Sequence, residues 1–111
     1  MNTWLTGFHT EVSCIETGVY LLIEAESLAL AEAGAMSMGQ TWWPDVEEGS
    51  DDYSWRYPGS TVWFSSILQL DDVENTVLRG LRFLDTWHVN GTPEWPVIRD
   101  RFEIDWRDYT R

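Results

Sequence analysis

The chain has no lysine, one cysteine, two histidines and, across residues 1–55, no Lys or Arg. Each of these shortages excludes something. A lone cysteine, Cys14, excludes an internal disulfide framework and fits a reducing compartment. No apolar run reaches the roughly 18 residues that a transmembrane helix needs. No basic stretch precedes an apolar core near Met1, so no signal peptide is expected and a cytoplasmic location is. The scarcity of His and Cys, with no Ser/His/Asp signature, makes an enzyme a poor reading. His9 and His88 have no companion at metal-ligand spacing. Cys14 has no basic neighbour in sequence to activate it as a nucleophile.

What is abundant is acid and tryptophan. The 111 residues carry a net charge of −12, with 14% aromatic content and eight Trp. One domain is expected at this length, and the apolar content is enough to fold it without staples. The acids are unevenly placed. Residues 1–55 hold Glu11, Glu16, Glu24, Glu26, Glu32, Asp45, Glu47, Glu48, Asp51 and Asp52, a balance of −10, whereas residues 56–111 set nine acids against seven Arg, a balance of −2. Such a field repels nucleic acid and anionic membranes and attracts basic protein surfaces.

Periodicity gives the elements. Residues 3–13 alternate, with Trp4, Thr6, Phe8, Thr10 and Val12 on one face, and Val19 to Glu26 alternates in the same way. Glu16-Thr17-Gly18 reads as the turn between them. Ser27 can cap a helix from Leu28 to Gly39, a small-residue segment suited to close packing on a sheet. Pro58-Gly59 turns a short strand, Tyr53–Tyr57, into a longer one, Thr61–Leu70. Asp71 with Glu74 makes a capping box, and Val73, Val77, Leu81, Leu84 and Trp87 then share one helical face, so a helix is expected to run to Asn90-Gly91. Alternation over Arg99–Arg107 predicts a closing strand. From Val19 the order is βαββαβ. The expected fold is therefore α+β: a ferredoxin-like sandwich, an antiparallel sheet with two helices on one face, plus an extra N-terminal strand at a sheet edge.

Residues 40–52, QTWWPDVEEGSDD, break all periodicity. Asp45, Glu47, Glu48, Asp51 and Asp52 surround Gly49, but the alternate acids and closing Glu of a hand-type calcium loop are missing, so no metal or other cofactor is expected. Trp42, Trp43 and Trp55 flank this acid run. Aromatic anchors with a charged rim are the composition of a protein-binding surface. The candidate contact residues are therefore Glu24 and Glu26 at a strand end, Trp42, Trp43, Asp45, Glu47, Glu48, Asp51 and Asp52 in the loop, and Trp55 beyond it. The partner they fit is a basic protein surface, such as the nucleic-acid channel of an enzyme or a basic toxin. No direct nucleic-acid or membrane contact is expected, and the chain could be a monomer or a homodimer.

By size, acidity and want of motifs the chain resembles the small anti-CRISPR and anti-restriction proteins of phages and plasmids. The resemblance is of type, and no residues carry over. It implies an inhibitor that imitates nucleic acid. An immunity protein or antitoxin that neutralises a nuclease, and an acidic adaptor domain, rest on the same physics.

Overall fold

A computed structural model describes residues 1–40 and 53–109. Its centre is a hairpin of two 11-residue strands, β1 (Asn2–Val12) and β2 (Ile15–Ala25). The chain continues through α1 (Leu28–Gln40), a second hairpin of β3 (Ser54–Tyr57) and β4 (Ser60–Gln69), a short helix α2 (Asp72–Arg79), a third hairpin of β5 (Thr86–Gly91) and β6 (Pro96–Arg99), and one last turn of helix, α3 (Trp106–Tyr109). All six strands form one sheet in the order β3-β4-β1-β2-β5-β6. Every pairing is antiparallel except β2 with β5, where Leu22, Ile23 and Glu24 lie opposite Thr86, Trp87 and His88.

This overturns the ferredoxin-like expectation. The N-terminal strand is a central strand and not an edge addition, and the sheet is mixed. The helices do not form a pair on one face. Helix α1 packs there, with Leu30, Ala31, Ala35 and Met38 buried against Trp4, Phe8, Leu21, Ile23, Trp55, Val62, Trp87, Val89 and Ile98, whereas α2 has no buried residue and α3 adds a partly buried Trp106. Ser27 caps α1 as its sequence suggests, its hydroxyl accepting from the Leu30 N–H at 3.2 Å. Gly39 does not stop the helix, which runs on to Gln40. Its role is close approach: a Cβ there would fall inside the Trp55 ring, and the Tyr57 hydroxyl donates to the Gly39 carbonyl at 2.7 Å.

Two local readings fail for physical reasons, and a bulge re-aims one strand. The β1–β2 turn is Ser13-Cys14, both at positive φ, the backbone of a type I′ hairpin turn, so Glu16-Thr17-Gly18 stays in strand. In β4 a bulge shifts the register: Gly7 faces Ser66 but Phe8 faces Phe64. Ser65 is the extra residue, so Ile67 joins Val62 and Phe64 against the core while Leu68 is turned out to solvent. The strand expected over Arg99–Arg107 is broken because the Asp100 carboxylate accepts the backbone N–H groups of both Phe102 and Ile104, folding the chain into a tight turn that leaves those two side chains exposed.

The helix expected to reach Trp87 stops at Arg79. Trp87 and Val89 alternate with His88, and this period of two wins over the helical spacing because it buries both apolar side chains on β5 against the α1 side of the sheet. The indole of Trp87 then meets Trp106 edge-on at 4.9 Å and Tyr109 at 5.7 Å.

Candidate interaction surface

The expected contact residues separate into three groups. Trp42, Trp43, Asp45, Glu47, Glu48, Asp51 and Asp52 lie outside the described residues. Glu26 is exposed, directly after β2. Trp55 and Glu24 are buried: Trp55 is 5% exposed, on the core face of β3, and Glu24 is 9% exposed.

Glu24 is the centre of a polar node that ties four elements together. The Arg79 guanidinium, reaching from the last turn of α2, donates through Nη2 to Glu24 Oε1 and to Thr3 Oγ1, the latter at 3.2 Å. Its Nε donates to Asn75 Oδ1 at 2.6 Å, which fixes its rotamer. His88 Nδ1, on the neighbouring parallel strand, lies 3.3 Å from the other carboxylate oxygen, Oε2. Each oxygen of a nearly buried carboxylate therefore has its own partner, the condition under which burying it is tolerable. The node is an internal clamp, and its carboxylate is not presented to an incoming protein. Sequence reasoning placed Glu24 with Glu26 on the contact surface and missed its burial. Its place two residues after Leu22, on the same face of a mostly apolar strand, was the available signal.

At the hairpin end of β1 and β2 the acids are more accessible. Glu11 and Glu16 are directly opposed across the two strands, and Glu16 also meets His9 Nε2 at 3.3 Å. Asp71, Asp72 and Glu74 add an exposed acidic turn at the start of α2. Asp71 and Glu74 close a capping box, with Glu74 N–H to Asp71 Oδ1 at 2.8 Å and Asp71 N–H to Glu74 Oε1 at 3.0 Å.

A concavity lies elsewhere. An open cleft of about 670 Å³ separates the segment after α2 from the C-terminal turn, with Arg79, Arg82, Arg101, Trp87, Trp106 and Tyr109 among its walls. One wall is held by Asp100, which accepts from the Tyr109 hydroxyl at 2.5 Å. That hydrogen bond, with those from the Ile104 and Phe102 N–H groups and the Arg101 charge nearby, outweighs partial desolvation and holds the Asp100 carboxyl below its ordinary value of 3.8. The same bond raises the Tyr109 hydroxyl above its ordinary 10.0. Asp85 and Asp100 offset the arginines, so the cleft is of mixed sign and does not select one class of ligand.

Among the described residues, no group of three His, Cys, Asp or Glu could hold a metal ion, and no helix is long and apolar enough to cross a membrane. Comparison with known proteins returned no match: no family model fits the chain, and no curated protein or solved structure is significantly similar to it.

Proposed function

We propose that this protein is a non-enzymatic acidic inhibitor that occupies the basic, nucleic-acid-binding surface of a host enzyme. The observation that carries the reading is the charge distribution: ten carboxylates and no Lys or Arg across residues 1–55. A row of carboxylates substitutes for phosphates on a Lys/Arg surface and gains long-range steering towards it. The opposed Glu11–Glu16 pair supports the reading, because like charges directly across a hairpin cost stability and are tolerated here at a solvent-exposed end. With Glu24 and Trp55 taken up inside the fold, the contact surface falls to Glu11, Glu16 and Glu26 together with Asp45, Glu47, Glu48, Asp51 and Asp52.

The test is cleavage of a duplex DNA by a Cas9-type effector and by a restriction endonuclease, titrated with the protein at two DNA concentrations and at 50 and 300 mM NaCl. Inhibition should be competitive with DNA and weaken by about tenfold or more at the higher salt, as expected for contacts made by several charges. Replacing Glu47, Glu48, Asp51 and Asp52 with Lys should abolish it while the circular dichroism spectrum is retained. Inhibition indifferent to both salt and DNA, or survival of inhibition in the four-Lys variant, would overturn the reading.

A further inference from the structure

On the face of the sheet turned away from α1, alternation places Gly7, His9 and Glu11 of β1 beside Glu16, Gly18 and Tyr20 of β2, in register as Gly7–Tyr20, His9–Gly18 and Glu11–Glu16. One end of this face is taken by the Glu24 node, where Arg79 brings α2 down onto Thr3 and Glu24. The Tyr20 end stays open: Gly18 is exposed and Tyr20 is 53% exposed. Tyr20 stands within an 11-residue strand, yet among the described residues its ring has no aromatic partner and its hydroxyl no hydrogen-bond partner. What it has instead is two glycines. A Cβ at Gly7 would stand 2.9 Å from Tyr20 Cε1, and one at Gly18 would stand 3.2 Å from Cε2. The ring therefore rests in space that side chains would otherwise fill, and it is seated there without being covered.

Gly18 is the floor of a notch. Glu16 precedes it by two residues and Tyr20 follows it by two, so both flank it on one face. The Tyr20 hydroxyl leans in to 3.5 Å from where a Gly18 Cβ would be. His9 lies across from Gly18, with its Nε2 3.3 Å from Glu16 Oε2 and its ring 5.6 Å from that of Trp63. Glu11, directly opposite Glu16, adds a second carboxylate. Strands β1, β2 and β4 carry no Lys or Arg, and Arg56 on β3 is separated from Glu11 by Thr61. We propose, taking from the proposed function that the partner is basic, that this notch receives one of its arginine side chains and so supplies the aromatic anchor that Trp55, buried in the core, does not. Three features select a guanidinium. The uncovered ring of Tyr20 attracts a cation. The carboxylates of Glu11 and Glu16 are acceptors suited to a planar fork of donors. The floor has no side chain, which admits a flat group. A lysine would satisfy the charge but neither the stacking nor the fork. Tyr and Arg are also residue types that dominate the energetics of protein interfaces.

The test is peptide binding to the nitrogen-15-labelled protein in 150 mM NaCl, read from amide chemical shifts, with acetylated hexaarginine and hexalysine as probes. The two carry the same charge, so steering is equal and only the head group differs. The wild type should bind hexaarginine about three- to fivefold more tightly, the range of one exposed cation–π contact, with the largest shifts at His9, Gly18 and Tyr20. Tyr20→Ala should bind the two peptides equally, with its hexalysine affinity within about twofold of wild type, because it changes no charge. Tyr20→Leu keeps an apolar cover over the two glycines and should behave in the same way, so it decides the matter if Tyr20→Ala does not fold. Glu16→Gln should weaken the binding of both peptides. Equal affinities in the wild type overturn the proposal. So does a preference for hexaarginine that survives Tyr20→Leu, a Glu16→Gln variant that binds as the wild type does, or a titration that leaves His9, Gly18 and Tyr20 unmoved. No enzyme enters the measurement. Failure to inhibit any nuclease would therefore sink the proposed function and leave this site standing, whereas inhibition that Tyr20→Leu does not weaken would remove the anchor and leave the function.

Discussion

Cys14 sits at the second corner of a two-residue hairpin turn with φ 67°, and Ser13 precedes it at φ 51°. A non-glycine residue in the left-handed region carries a strain of about 1–2 kcal/mol. Among the described residues nothing compensates Cys14 for it, and its thiol is free and exposed. The Asn-Gly sequence that type I′ turns prefer should relieve that strain. Ser13→Asn with Cys14→Gly should stabilise the protein by a net ~1 kcal/mol once the added freedom of the unfolded glycine is counted. For a chain of this size, that is a rise in thermal midpoint of about 4 °C. Cys14→Val should lower the midpoint, since a β-branched residue fits this region worst. Thermal unfolding followed by circular dichroism measures both. A fall on going to Asn-Gly would show that the thiol does something for the fold. The turn escaped sequence reading for the same reason: Ser-Cys carries none of the residues that mark such a turn, whereas Glu16-Thr17-Gly18 does. Gly39 is a complementary case. Its residue type was legible, but its purpose, admitting the Trp55 ring, depends on a partner 16 positions away and on which side of the helix faces the sheet.

At the scale of elements, local rules held wherever two of them agreed. Both long hairpin strands, the Ser27 cap, the Pro58-Gly59 turn and the Asp71 capping box stand as their residues suggest. The rules failed where two periods were superimposed. Val73, Val77, Leu81, Leu84 and Trp87 fit a helix, and Trp87, His88 and Val89 fit a strand. Burial on β5 decided between them, and a lone sequence cannot weigh burial. The C-terminal segment failed through a single carboxylate, Asp100, whose turn replaces the expected strand and docks α3 by the hydrogen bond from Tyr109. That docking has a pH signature. Asp100 has its carboxyl lowered by the fold, so its contribution is present above its ordinary value and is lost as pH falls through the lowered one. Tyr109 is raised, so its contribution is present below its ordinary value and is lost as pH rises through the raised one. The difference in thermal midpoint between the wild type and Tyr109→Phe should therefore be positive and flat between about pH 4 and pH 10, and close towards zero on both sides. A difference that does not change across either limit would show that the hydroxyl contributes through packing and not through this bond.

For the whole molecule the governing fact is that −12 is carried on 111 residues without a single lysine. The charge was fully legible in the sequence, but its arrangement was not. Folding removes Glu24 from the surface, leaves Glu11 and Glu16 opposed, and groups Arg79, Arg82 and Arg101 around the cleft beside β5, away from the acidic end of the β1–β2 hairpin. Separating the charges in this way preserves the field that the proposed function needs, at a cost in self-repulsion that the compact state feels more than the unfolded one. Screening should lower that cost. The thermal midpoint should therefore rise as NaCl goes from 10 to 500 mM at pH 7, steeply at first and then levelling as the Debye length falls below the spacing of the carboxylates. The ion pairs of the Glu24 node should not reverse the trend, because Glu24 is nearly buried and is screened least. Replacing Glu11 with Gln removes one member of the opposed pair, so it should raise the low-salt midpoint and flatten the salt dependence. A midpoint that is constant or falls with salt would mean that the fold has already neutralised its acids by internal pairing, and such a surface would have little left to offer a basic partner.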